Sequence, residues 1–461
     1  MPCASRWRRA ARPSWQAGCR AAKWRCRPRP PRGCWIKEAT SARRAALELL
    51  EAVRGGATFA AARDRHLAGL AERDRRLAHE LAAGVLRRRA QLDRTLPLST
   101  ADPRLHDILR LGAYQLRALD RVPAYAAVST SVALARETAG EAAGGFVNHV
   151  LRRLARDAGC GMRDAAPTHP PWLVERWRRR FGAAETARLT AWNDAKPPLV
   201  LQPARCGRDA LEARLRAAGF GVREAPFDAG IVLTPGDHAS RIPHPAHLPG
   251  FEEGAFIVQD PAHALVCRYA AVPRGTLVYD ACAAPGGKGV TLERLGARVV
   301  AGDARRDRLA RLADTVRRAG VAIPVVGADL VAAPLAPATA DAVLVDAPCS
   351  ATGTMARHPD ARWRLSPRLI DRAAARQGEL LRAAAPLVRP GGLLIYATCS
   401  LEPEENGDVV NAFLQRHREF AREPERRAVA AELLTAEGDF QSLPQRHGVD
   451  GAFAARLRRS H

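Results

Sequence analysis

Apolar positions in the first third of the chain recur at helical spacing. Ala45, Leu47, Leu49, Leu50 and Val53 share one face, and Leu77, Leu81, Val85 and Leu86 another. A third face, Leu105, Ile108, Leu109, Leu111 and Leu116, starts after Asp102-Pro103, a favourable helix start. Val128, Val132 and Leu134 continue the pattern, followed by Phe146, Val147, Val150, Leu151 and Leu154. The spacing predicts an all-α domain of five or more short helices from Ser41 to about Arg156. Pro167, Pro170 and Pro171 mark its end. Residues 172–181 and 184–192 then read as helices, 199–201 and 231–233 as strands, and 208–219 as a helix. Together they make a small α+β unit reaching to about Gly254.

From about Gln259 the period changes. Apolar runs near 276–280, 298–302, 323–327, 341–345 and 392–397 read as buried strands separated by helices. That alternation predicts a doubly wound, Rossmann-like α/β domain with a mostly parallel sheet. The expected organisation is a basic leader over 1–37, a helical domain over 38–160, a linker domain over 165–255 and an α/β domain over 256–461.

Charge changes the picture next. The net charge is +24, which favours a polyanionic partner. Residues 1–37 carry 11 of the basic residues and no acid, so the remaining chain still holds +13. Arginine clusters such as Arg87-Arg88-Arg89 and Arg152-Arg153 read singly as solvated helix faces and together as an RNA-facing surface. The leader reads as a disordered extension or an unused upstream start in preference to an organelle transit peptide. Its cysteines, Cys3, Cys19, Cys26 and Cys34, fit no zinc spacing. Cys160, Cys206, Cys267, Cys282, Cys349 and Cys399 are scattered, as in a cytosolic enzyme with reduced thiols. No apolar run approaches the ~20 residues that span a bilayer, so no membrane association is expected. His238, His244 and His247 share a Pro-rich loop, but no cysteine or acid completes a set, and no metal is expected.

Candidate chemistry gathers at the ends of the predicted strands. The first runs into Asp280-Ala281-Cys282-Ala283-Ala284-Pro285-Gly286-Gly287-Lys288, a strand, a glycine turn and a helix start. This is neither the dinucleotide fingerprint nor a P-loop, but it allows close backbone approach to a ligand. Asp303 ends the second strand, where an acid binds ribose hydroxyls. Asp329 ends the third and reads either as an acceptor for an adenine amino group or as a cap. A ribose-binding acid without a phosphate-binding lysine pattern favours S-adenosylmethionine over NAD or ATP. Two further strands run into Asp346-Ala347-Pro348-Cys349-Ser350 and Thr398-Cys399-Ser400. A free cysteine is usually an inert buried hydrophobe. These two lie just past strand ends, where α/β sheets place active sites, so both can reach one substrate. Backbone amides or a nearby cation can supply a lowered thiol pKa.

The segments DACAAPGGKG, VDAPCSATGTMARHPDARW and YATCSLEPEEN resemble the signature motifs of the RNA 5-methylcytosine methyltransferases, the Sun/Fmu/NOL family. The N-terminal helices, through Phe146-Val147-Asn148-His149-Val150-Leu151-Arg152, look like the NusB-like domain of that family's small-subunit rRNA branch. The resemblance covers roughly residues 38–458 and includes Gly254 to Gln259 ahead of Asp260-Pro261. Gly289 departs from it, because threonine commonly follows Gly-Gly-Lys.

The resemblance implies a class I methyltransferase domain and S-adenosylmethionine held by Cys282, Ala283, Ala284, Pro285, Gly286, Gly287, Lys288, Asp303, Asp329 and Asp346. It implies Cys399 as the nucleophile on cytosine carbon 6, Asp346 on the ring N3 and amino edge, and Cys349 in the release step. Taken by itself, Lys288 reads as a solvated lysine at a helix start. The implied substrate is 16S rRNA, unassembled or partly assembled, and the enzyme a cytoplasmic monomer. The alternatives are an RNA-binding assembly factor without catalysis, action on another RNA such as tRNA, and methylation of another target atom. DNA cytosine methyltransferases use the Pro-Cys cysteine, and Thr398-Cys399 is what points to the RNA class.

Overall fold

The computed structural model describes residues 32–98, 102–157, 168–236, 242–332 and 335–461, with side chains from Ser41 onward. Residues 1–31, Cys160, Pro167 and His238 lie outside the described residues. The first domain packs α1 (Arg32–Arg54), α2 (Phe59–Leu67), α3 (Glu72–Asp93), α4 (Pro103–Ala118) and α5 (Ala124–Arg156). Helix α1 begins inside the stretch assigned from sequence to the leader. Helix α2 escaped the periodicity because it buries only Phe59, Ala62 and Leu67. The Asp102 side chain accepts from the Arg104 N–H at 2.8 Å and caps α4, which supplies the fully buried Ile108 and Leu109. Gly84 lets α3 approach α4, because a Cβ there would lie 2.0 Å from the Tyr114 ring. Helix α5 breaks at Gly140.

The second domain starts with α6 (Pro171–Asp194), which Gly182 breaks into the two expected helices. It continues with β1 (Leu199–Pro203), α7 (Arg208–Ala217), β2 (Gly221–Glu224), β3 (Ile231–Thr234) and β4 (Phe256–Val258). The sheet order is β2-β3-β1-β4, all antiparallel. Strand β4 falls within the segment assigned from sequence to the α/β domain, yet it pairs with β1. His247 Nε2 lies 3.4 Å from Glu72 of α3, so the acid beside this histidine comes from another domain.

The third domain opens with α8 (Pro261–Ala270), β5 (Leu277–Asp280), α9 (Gly287–Arg294), β6 (Arg298–Asp303), α10 (Arg306–Ala319), β7 (Val325–Gly327) and β8 (Ala340–Asp346). It continues through α11 (Ala361–Arg364), α12 (Pro367–Ala384), β9 (Val388–Thr398) and α13 (Gly407–Arg416). The chain ends with β10 (Phe420–Arg422), β11 (Phe440–Ser442), α14 (Pro444–His447) and β12 (Ala452–Arg459). The five expected strands form the parallel run β7-β6-β5-β8-β9. Alternate side chains serve two cores. Val278 and Leu344 pack with Leu265, Val290 and Leu312 of α8, α9 and α10. Tyr279, Val343 and Val345 pack with Leu380 and Val410 of α12 and α13. Burial on both faces is why these strands read as continuous apolar runs.

Strand β12 was not predicted. It pairs antiparallel with β9, β10 and β11, although its sequence, AFAARLRR, carries three arginines. Arg456 donates to the Glu423 carbonyl and Arg458 pairs with the Glu423 carboxylate at 2.6 Å, so the charge is absorbed within the sheet edge.

The segment 355–364 joins all three domains. Arg362 is fully buried, pairs with Asp194 at 2.7 Å and donates to the Asn193 carbonyl at 2.9 Å. Trp363 Nε1 donates to the Leu86 carbonyl at 2.6 Å, and Asp360 accepts from the Phe59 N–H. This corrects the reading of Arg87-Arg88-Arg89 as an RNA-facing cluster. Arg87 is buried and donates to the Ala356 carbonyl, and the Arg89 guanidinium sits 5.2 Å from the centre of the Trp363 ring. Arg152 and Arg153 remain exposed.

Candidate active site

Four loops converge at the C-terminal edge of the parallel sheet. They follow β6, β5, β8 and β9, which are consecutive neighbours. The strand order reverses between β5 and β8, the crevice where open α/β sheets bind ligands.

The predicted cysteines meet there. Cys349 Sγ lies 3.0 Å from Cys399 Sγ and also accepts from the Cys399 N–H at 3.3 Å. The hydrogen bond to Cys399, then burial, pushes the Cys349 thiol well above its ordinary pKa. Cys349 therefore keeps its proton beside the Cys399 sulfur. The loops are clasped by Glu405, whose role no sequence signal disclosed. Its carboxylate accepts from the Ser350 N–H at 2.8 Å, from the Ser350 and Ser400 hydroxyls, and from Gln377 Nε2 at 3.0 Å. Asn406 braces the second loop, accepting from Thr398 Oγ1 at 2.6 Å and donating to the Ser400 carbonyl at 2.9 Å.

Lys288 is not solvated. It is buried, with Nζ 2.6 Å from Asp346 Oδ2 and 2.8 Å from His263 Nδ1. Burial opposes its charge, but Asp346 outweighs that and raises its pKa. His263, a lone histidine on α8, carried no signal in the sequence.

The loop 282–288 is tied to the end of β6. Asp303 accepts from the Ala284 N–H at 3.1 Å and the Arg305 N–H at 2.9 Å. Two of its roughly four lone-pair directions are used. Gly286 adopts φ +106°, which only glycine takes freely, and a Cβ there would lie 2.9 Å from Leu312 Cδ1. Burial pushes the Cys282 thiol up to about 12, so it is no third thiolate. Asp329 accepts from the Val331 N–H at 3.1 Å, the capping geometry, and lies 3.6 Å from Arg376.

Asp280 ends β5 fully buried, and neither oxygen has a hydrogen-bond partner among the described residues. Burial, then the nearby Asp346, raises its pKa to about 7. The folded protein thus holds a proton between about pH 4 and pH 7 that the unfolded chain has released. Stability from this site is fully present below pH 4 and declines as pH rises toward 7. We predict that the melting-temperature advantage of Asp280→Asn over the parent grows from pH 5 to pH 8. A pH-independent difference counts against this account. Gly289 bears on the same group, because a Cβ there would lie 3.3 Å from Asp280 Oδ2. The hydroxyl of the threonine common at this position in the Sun/Fmu/NOL enzymes is therefore a candidate donor that this chain lacks.

Comparison with known proteins agrees with this architecture. A model described as 16S rRNA methyltransferase RsmB/F matches residues 270–458, a NusB family model residues 40–156, and an RsmF/B-like ferredoxin-like domain model residues 169–237. The chain is 35% identical over 419 residues to the probable ribosomal RNA small subunit methyltransferase B of Synechocystis sp., covering 84% of this chain and 92% of that one. It is 35% identical over 408 residues to ribosomal RNA small subunit methyltransferase B of Escherichia fergusonii, covering 84% and 91%. The crystal structure of PH0851 shares the fold, with TM-score 0.76 and 24% identity over 91% of this chain and 99% of that one. With a NusB domain, a ferredoxin-like domain and a mostly parallel methyltransferase sheet in that order, and with relatives matched over most of their length, the chain belongs to the RsmB/F family of 16S rRNA methyltransferases.

Proposed function

We propose that this enzyme transfers a methyl group from S-adenosylmethionine to carbon 5 of a cytosine in 16S rRNA, through a covalent bond between Cys399 and the base. The supporting observation is the sulfur pair, 3.0 Å apart at the ends of adjacent strands and next to Asp346. Carbon 5 of cytosine is too weak a nucleophile to take a methyl group unaided. Cys399 adds to carbon 6, and the ring then attacks through carbon 5. S-adenosylmethionine supplies the electrophilic methyl group. Asp346, paired with Lys288, faces the N3 and amino edge where charge develops. A solvent base then takes the carbon 5 proton, the electrons of that bond restore the carbon 5–carbon 6 double bond and break the carbon 6–sulfur bond, and Cys349 serves this release by protonating the departing Cys399 sulfur. The base is extruded from its RNA context to reach the sulfurs. The substrate is unassembled or partly assembled rRNA, and the enzyme acts as a cytoplasmic monomer.

The residues present fit the methyl donor. Asp303 has lone pairs left for ribose hydroxyls, the loop 282–288 provides backbone against which the cofactor packs, and Asp329 stands at the end of β7 for the adenine amino group. Replacing Asp303 by alanine removes both the ribose acceptor and the loop's tie to β6. Affinity for S-adenosylmethionine is expected to fall by about 1–3 kcal/mol in calorimetry. An unchanged affinity would remove Asp303 from the site. The function itself is tested by methylating unmodified 16S rRNA with labelled S-adenosylmethionine and digesting it to nucleosides. Label in 5-methylcytidine supports the assignment, and label in any other nucleoside overturns it.

A further inference from the structure

Lys288 is held from two sides, and the second belongs to none of the motifs. Its ammonium has three donors and no acceptor. Asp346 at 2.6 Å keeps it charged, so at 2.8 Å the Nδ1 of His263 must be the acceptor. The imidazole is therefore neutral, with its proton on Nε2. Burial and the cations facing it, Lys288 and Arg357, favour the same state. His263 itself is fixed at the third position of α8, whose N-terminus Asp260 caps by accepting from the Ala262 N–H at 2.9 Å. Asp260 is in turn gripped by Arg357, 2.6 Å away, which also holds Asp450 at 2.6 Å. The imidazole thus stands on a rigid, doubly anchored helix start, while Lys288 is a point charge on a flexible four-carbon stem.

We propose that His263 is a positioning residue for methyl transfer, holding the Lys288 ammonium against Asp346 in the orientation that this pair presents to the target base. The inference rests on the reading that Asp346 faces that base. Without the imidazole, Nζ has one fixed acceptor in place of two and can swing, and the Asp346 carboxylate moves with it. The edge contact matters most as charge builds on the ring during thiol addition, so its misplacement slows the chemical step and leaves substrate binding intact.

The test uses the full chain, an unmodified 16S rRNA transcript and tritiated S-adenosylmethionine. His263→Leu removes the acceptor. His263→Asn restores one, because Oδ1 is attached to Cγ as Nδ1 is. We expect kcat to fall about 30-fold in His263→Leu, with KM for rRNA and affinity for S-adenosylmethionine within about twofold of the parent. His263→Asn should recover kcat to within about threefold. A parental kcat in His263→Leu overturns the proposal. So does a His263→Asn variant as slow as His263→Leu, or a loss carried by KM alone. Tritium counts transfer to any rRNA position, so failure of the carbon 5 assignment appears in the nucleoside analysis and leaves this test standing.

Discussion

Replacing Cys399 by alanine is expected to end methyl transfer to rRNA, a fall of at least about 10⁴-fold, because it removes the proposed nucleophile, and the neighbouring Cys349 thiol, held protonated, is a poor substitute for it. Replacing Cys349 by alanine has a different outcome. Addition and methyl transfer still occur, but release slows, and a covalent protein–RNA complex accumulates. The sulfur pair explains the asymmetry. Cys349 holds its proton under the influence of Cys399 and burial, 3.0 Å from the Cys399 sulfur. It suits the proton-handling role and not attack. Denaturing gels with labelled rRNA and S-adenosylmethionine separate the possibilities. A trapped complex from Cys399→Ala but not from Cys349→Ala reverses the roles. Two ordinary packing thiols would give similar modest stability losses, no complex and retained activity, and that result would end the covalent account.

The largest stability loss is expected far from the sulfurs, at Arg362. Its guanidinium, fully buried, serves Asp194 at 2.7 Å and the Asn193 carbonyl at 2.9 Å, with the Thr168 and Arg87 carbonyls farther off at 3.5 and 3.4 Å. Arg362→Met leaves the Asp194 carboxylate without its partner, a loss of about 3–5 kcal/mol. The melting temperature should drop on the order of 10 °C. Arg362→Lys should rescue little of this, because a point charge cannot replace a planar fork that serves two residues at once. Melting within about 2 °C of the parent would show that the three domains dock independently of this residue. The same segment carries the motif HPDARW, so a stretch just after the Cys349 loop doubles as the joint between domains.

Legibility varied with the kind of physics involved. The helical faces around Leu81, Ile108 and Leu151 and the runs at 276–280 and 341–345 were readable because each is a local period imposed by one buried stripe or by two buried faces. Helix α2 and strand β12 were not. One is too short to show a period, and the other hides its strand character beneath Arg456 and Arg458, whose partner Glu423 lies over thirty residues away in the chain, and Arg459, which donates to the Val388 carbonyl. Strand β4 was not read as a strand, and its residues were grouped with the α/β segment, because pairing with β1 is a long-range choice that three residues cannot announce.

The chain by itself determined the order of its domains, the parallel sheet, the glycine turn at 286 and the presence of two cysteines at strand ends, since all of these are written in spacing and residue type. Only the tertiary structure decided what each charged group faces. It buried Lys288 between Asp346 and His263, turned Arg87 inward and laid Arg89 over Trp363 at a domain joint, left the Asp280 carboxylate without a donor among the described residues and made Glu405 the clasp between two loops. The reason is the range of the interactions. Periodicity reports whether a position is inside, but the partner that compensates a buried charge comes from wherever the fold brings it, and no local pattern encodes that distance.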